Sequence, residues 1–148
     1  MKIFLLSACL FLTSCGESPL FNHTNEKRGG LGRILQDQNA VYTLGISSFS
    51  LDWIDGPEKG TSKFIMNIWQ EGVGTFNGPY QDLPGDLAIS IFMPAMGHGS
   101  SPVKITKLAV GEYEVSEINF FMGGTWEVKF QNKESGHVHD ESVLSYSL

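Results

Sequence analysis

From residue 41 onward, hydrophobic side chains recur at every second position, and a period of two predicts strands. Tyr42, Leu44 and Ile46 alternate with smaller or polar neighbours. Phe49, Leu51 and Trp53 do so in the opposite phase, which predicts a bulge or strand switch at Ser47-Ser48. After a turn at Gly56-Pro57 and Gly60, Phe64, Met66 and Ile68 share one face of a strand over residues 63–70. A long loop rich in glycine and proline follows over 71–84, then a strand with Leu87, Ile89, Ile91 and Met93 on one face. Residues 102–108 form a fourth strand, joined at Val110-Gly111 by a tight turn to a fifth. In that strand Tyr113 and Val115 hold one phase and Ile118 and Phe120 the other, so a bulge is expected near Ser116-Glu117. Trp126, Val128 and Phe130 come next. They are expected to make a hairpin with the fifth strand, Phe120 facing Trp126, Ile118 facing Val128 and Met122 at the tip. A polar loop over 132–141 leads to a last strand with Leu144, Tyr146 and Leu148 in phase. About seven short strands with turn signals and no sustained helical period predict an all-β fold. The expected architecture is an immunoglobulin-like antiparallel β-sandwich, with a small barrel as the competing arrangement.

The first 40 residues lack this pattern. Lys2 precedes an apolar run over 3–12, too short to cross a hydrocarbon layer of about 30 Å as a helix. Leu12-Thr13-Ser14-Cys15 follows at once and resembles the bacterial lipobox, in which the signal is cleaved before a cysteine that then carries lipid. The expected organisation is a lipoprotein signal peptide over 1–14, a lipidated flexible tether over 15–40 and one domain over 41–148. Cys9 would leave with the signal and Cys15 would carry acyl chains, so no thiol remains for a disulfide, a metal or catalysis. The expected location is the cell envelope, lipid-anchored and facing the periplasm. Gly16 stands where an Asp would signal inner-membrane retention, which favours the outer membrane.

Charge removes further classes of partner. The chain has 10 Lys and Arg against 16 Asp and Glu, a net charge of −6, and loss of Lys2 with the signal makes it −7. Such a surface repels nucleic acid and anionic lipid alike. No Ser-His-Asp order with a nucleophile elbow is present, so no enzyme activity is expected. Gly29-Gly30-Leu31-Gly32 lacks the preceding strand and following Gly-Lys-Ser of a phosphate loop.

What remains is Met93-Pro94-Ala95-Met96-Gly97-His98-Gly99, where the third strand stops. Successive connections in a sandwich alternate between its ends, so this loop and the connection holding Met122 are expected at the same end. Thioethers with an imidazole, and no carboxylate or thiolate, suit Cu(I) better than zinc, calcium or magnesium. The same residues also have ordinary structural uses: Met93 continues the Leu87-Ile89-Ile91 face, and Met commonly fills gaps in a core. Met66, in phase with Phe64 and Ile68, belongs to the core. His137 and His139 have a His-x-His spacing, expected in a solvated loop at the opposite end from His98. Asp52, Asp55, Asp82 and Asp86 fall in turns, where Asp is expected for local hydrogen bonding.

Trp53, Gly56-Pro57 and Gly60 before Lys63-Phe64, the 93–99 heptad, Gly111-Glu112-Tyr113 and the 120–128 run Phe-Phe-Met-Gly-Gly-Thr-Trp-Glu-Val together resemble the YtkA-like domain family. That family is related to the FixH-type envelope proteins, and the resemblance covers roughly residues 45–131. It implies a small exported β-sandwich and, for part of the family, a link to copper handling or copper-oxidase assembly. FixH-type proteins usually have a transmembrane anchor, whereas this chain is expected to be anchored by lipid. The expectation is therefore an envelope lipoprotein that binds copper, with Cu(I) favoured, for carriage or buffering. Its ligands would be Met96, His98 and Met122, with Met93 as a fourth candidate. The expected partners are the membrane, through lipid on Cys15, and a copper-accepting protein. The alternative is a metal-free interaction or structural module of the envelope.

Overall fold

The computed structural model describes residues 40–148. The expected signal peptide, Cys9, the lipidation site Cys15 and all of the expected tether but Ala40 lie outside the described residues. The elements are β1 (Val41–Leu44), β2 (Ser47–Asp55), β3 (Gly60–Gln70) and β4 (Asp86–Met93), then a 3-10 turn at Pro94–Met96. After it come β5 (His98–Gly99), β6 (Lys104–Ala109), β7 (Glu112–Phe120), β8 (Thr125–Glu134) and β9 (His137–Ser147). They form two antiparallel sheets, one in the order β1-β2-β3-β7-β6 and one in the order β5-β4-β8-β9. The fold is the all-β sandwich that the alternation predicts.

The inward faces carry the alternating set. Phe49, Phe64, Met66, Ile68, Val115, Ile118 and Phe120 come from the five-stranded sheet, and Ile89, Ile91, Met93, Trp126, Val128, Phe130 and Tyr146 from the other. Phe49 and Phe130 meet between the sheets with ring centroids 4.9 Å apart. Each large side chain enclosed in this way contributes about 1.5–3 kcal/mol through loss of apolar surface from water. The bulge expected at Ser116-Glu117 is present: Val115 pairs with Phe64 and Ile118 with Ser62, and Glu117 takes a φ of 59°. It flips the phase of β7, which keeps Val115, Ile118 and Phe120 all pointing inward.

Three expectations are corrected. β7 and β8 do not form a hairpin: β7 lies between β3 and β6, and β8 lies between β4 and β9 in the other sheet. Phe120 and Trp126 do meet, edge to face at 5.7 Å, but across the core. A hairpin and two strands in facing sheets present the same inward alternation, so the pattern alone could not separate them. The phase change after Ile46 is a tight hairpin, not a bulge or strand switch at Ser47-Ser48. Leu44 pairs with Ser47, Gly45 takes a φ of 62°, and Ile46 is exposed in the turn. The polar loop over 132–141 is mostly strand, because its only turn residues are Ser135 and Gly136, both at positive φ. Two consecutive positive φ values match the twist of a two-residue hairpin. With β1 separate from β2, and β5 added, the strands among the described residues number nine.

Pairing of β4 with β8 runs from Asp86 opposite Lys133 to Phe92 opposite Glu127. The Met93 end of the sandwich is therefore the Thr125 end, and the β8–β9 turn lies at the other. That other end is held by Asp82 in the long loop between β3 and β4. Asp82 Oδ1 accepts from the Gly111 N–H at 2.9 Å and the Tyr113 hydroxyl at 2.8 Å, and Oδ2 from Lys107 Nζ at 2.6 Å. Beside it the Gln81 N–H donates to the Ile68 carbonyl at 2.8 Å. Asp82 was expected to serve only its own turn. It joins the long loop to the β6–β7 hairpin instead.

Candidate functional site

At the Met93 end the chain must leave β4 and return within a few residues. Pro94 has no N–H to continue a ladder, but its fixed φ suits the first position of a helical turn, and the 3-10 turn starts there. Gly97 closes it in the left-handed region at φ 67°, its N–H donating to the Met93 carbonyl at 3.0 Å. The returning residues pair as Met93 with His98 and Phe92 with Gly99. Directly opposed residues in an antiparallel pair put their side chains on the same side of the sheet, so His98 shares the inward side with Met93. At this edge the inward side looks toward the point where the chain crosses from β7 to β8.

The two connections lie against each other. The His98 ring stacks on Phe121, centroids 5.7 Å apart and planes 11° from parallel. Phe121 in turn meets the Trp126 ring edge-on at 4.9 Å, and the Trp126 indole N–H donates to the Met122 carbonyl at 3.0 Å. Ser100 donates its hydroxyl to the Asn119 carbonyl at 2.6 Å. Gly124, at φ 133°, passes so close to Met93 that a Cβ there would lie 2.7 Å from the thioether methyl. Trp126 itself is fully enclosed, so this contact network rests on the core.

The four expected ligands occupy different environments. Met93 is 2% exposed and closes the core, continuing the Ile89 and Ile91 face. Met122 is partly buried and packs on the core edge. Met96 is 56% exposed, and His98 is exposed too. The His98 Nδ1 lies 3.3 Å from the Gly99 carbonyl. A carbonyl only accepts, so that contact is a hydrogen bond only when the proton sits on Nδ1, which leaves the lone pair on Nε2. The end thus brings together an exposed thioether, an imidazole and a half-buried thioether. As a donor set this fits a soft monovalent ion such as Cu(I), and nothing in it favours a hard cation.

His137 and His139 lie on β9 and not in a loop, exposed and at the end opposite His98 as expected. His139 Nε2 is 3.2 Å from a Glu134 carboxylate oxygen. Among the described residues no group of three or more His, Cys, Asp or Glu is placed to hold a metal ion. The Met and His set is of another kind.

Phe121 is the residue that reading the sequence missed. Phe120 and Phe121 are adjacent, and in a strand of period two only one of them can face the core. Phe120 does; Phe121 is 47% exposed and meets the imidazole. The doubled Phe was the available signal.

The model of the family described as YtkA-like matches residues 82–131, about a third of the chain. That span begins at Asp82 and contains both connections of the Met93 end. It excludes Trp53, Gly56-Pro57, Gly60 and Lys63-Phe64, which had seemed part of the resemblance. No curated protein and no solved structure matches the chain.

Proposed function

We propose that this chain, with a YtkA-like match over residues 82–131, binds Cu(I) at the Met93 end of its sandwich for carriage or buffering in the cell envelope. Met96 and His98, through Nε2, are the open ligands. Met122 supplies a thioether from the facing connection, and Met93, enclosed in the core, is the least accessible of the four. One observation carries the reading: the His98 ring lies on Phe121, the immediate neighbour of Met122, so donors distant in sequence share one end. Two thioethers and an imidazole without thiolate or carboxylate select a soft ion. Lipid on Cys15 would keep the domain at the membrane, within reach of a copper-accepting protein.

The test is a competition titration of the full chain carrying Cys9→Ser and Cys15→Ser, so that no thiol competes, against a chromogenic Cu(I) chelator. The chain is expected to withdraw one equivalent of Cu(I), and a Met96→Leu, His98→Ala double variant to withdraw much less. Equal retention by parent and double variant sinks the reading. Met96 and Phe121, both exposed and both on the connections of this end, favour a second reading, a metal-free face for protein contact. That reading stands if the parent takes up no copper.

A further inference from the structure

We propose that Phe121 is a positioning residue for His98, holding the imidazole plane so that Nε2 is presented to the metal; this rests on the copper reading above. His98 stands between Gly97 and Gly99, one of which is in the left-handed region, and it is exposed. The terminal torsion of a histidine is broad, so backbone and rotamer leave the ring free to turn. Two contacts remove that freedom. The Gly99 carbonyl takes the Nδ1 edge at 3.3 Å, and the Phe121 ring takes one face at 5.7 Å with planes 11° apart. An edge contact alone permits rocking about the hydrogen bond; a flat face alone permits rotation in its own plane. Together they define one orientation.

Phe121 has its own support. Its ring meets Trp126 at 4.9 Å with planes 81° apart, and the Trp126 indole N–H holds the Met122 carbonyl. The same aromatic pair thus fixes the imidazole from one side and the backbone that carries Met122 from the other. Phe121 contributes no donor atom. Its effect is to remove the ordering cost that binding would otherwise carry.

The experiment uses the thiol-free full chain, with Phe121→Leu, which keeps apolar bulk but removes the flat face, and Phe121→Tyr, which restores it. In the metal-free parent the His98 ring protons are expected upfield, under the Phe121 ring current, and the imidazole nitrogen resonances to show the proton on Nδ1. In Phe121→Leu the upfield shift disappears, the two tautomers mix, and Cu(I) binding weakens by roughly 10- to 100-fold, as for loss of other groups that orient a ligand. Phe121→Tyr returns both signals. Unchanged imidazole resonances or unchanged Cu(I) affinity in Phe121→Leu overturns the proposal. So does failure of Phe121→Tyr to restore them while the near-UV dichroism of the domain is unaltered. Absence of Cu(I) binding by the parent removes the copper reading and this role with it; parent binding that Phe121→Leu leaves intact removes this role alone.

Discussion

The two ends of this sandwich treat their chemistry-bearing side chains in opposite ways. At the end held by Asp82, the charged group is used up: both carboxylate oxygens have donors, and those donors tie a long loop to a hairpin. At the Met93 end the connections are held by backbone hydrogen bonds, a serine hydroxyl and aromatic packing. Met96 and the Nε2 of His98 are left over. A side chain whose bonding capacity is filled by its own fold is explained by stability. One whose capacity is unfilled, on a well-supported loop, asks for another explanation. Asp82 looks more like a site by charge, yet the weaker donors at the other end are the better candidates.

The comparison can be broken at three depths. The largest effect is expected beneath the Met93 end: Trp126→Ala empties a fully enclosed position and frees the Met122 carbonyl, and should cost about 3–5 kcal/mol in denaturant unfolding. A smaller loss would mean that the end is not supported by the core.

At the other end, Asp82→Ala leaves Lys107, the Gly111 N–H and the Tyr113 hydroxyl without their acceptor. The cost should be about 2 kcal/mol, the low side for bonds to a charged group because the carboxylate is partly exposed. The pH dependence has a defined sign. Lys107 first, then the Gly111 N–H, hold the Asp82 carboxyl below its usual range. Its stabilisation is therefore complete above the unfolded value near 3.9 and lost as pH falls through the lowered folded value. Burial first, and Asp82 second, push the Tyr113 hydroxyl up to about 12. The folded state then keeps a proton that an unfolded tyrosine releases near 10.0, and stability should decline as pH rises from there toward 12. Unfolding curves against pH should show both limbs in the wild type. In Asp82→Ala the Asp82 contribution to the acid limb should be lost and the alkaline limb should shrink.

The smallest effect is the most discriminating. Met96→Leu and His98→Ala, each alone, should shift the unfolding free energy by less than about 0.5 kcal/mol, since both side chains are exposed and neither fills the core. A cost of several times that would make this end structural, like the other.

Much of this was legible in the sequence because alternation states directly which side chains point inward. Phe64, Met66 and Ile68, the Met93 strand, and the Ser116-Glu117 bulge all follow from period and phase. The coincidence of the 93–99 loop with the Met122 connection followed from the alternation of connections between the two ends, which holds whether β7 and β8 pair or lie in facing sheets. What period cannot give is the partner of a strand. Met122-Gly123-Gly124 is short enough for a hairpin and long enough to cross between sheets, and the choice depends on β4 and β9 occupying both edges of β8. The role of Asp82 is illegible for the same reason: its three donors lie 25 to 31 residues away. Turn chemistry is local, and this contact is not.

The crossing from β7 to β8 has a mechanical meaning. Met96 and His98 are carried by the four-stranded layer, while Met122 sits on the strap that leaves the five-stranded one. Anything gripped by both loops at once becomes a rivet between two layers that the Ser100–Asn119 hydrogen bond and the aromatic contacts already hold at that end. The force needed to slide the layers apart should then rise with the fraction of molecules so riveted, whatever the rivet is made of.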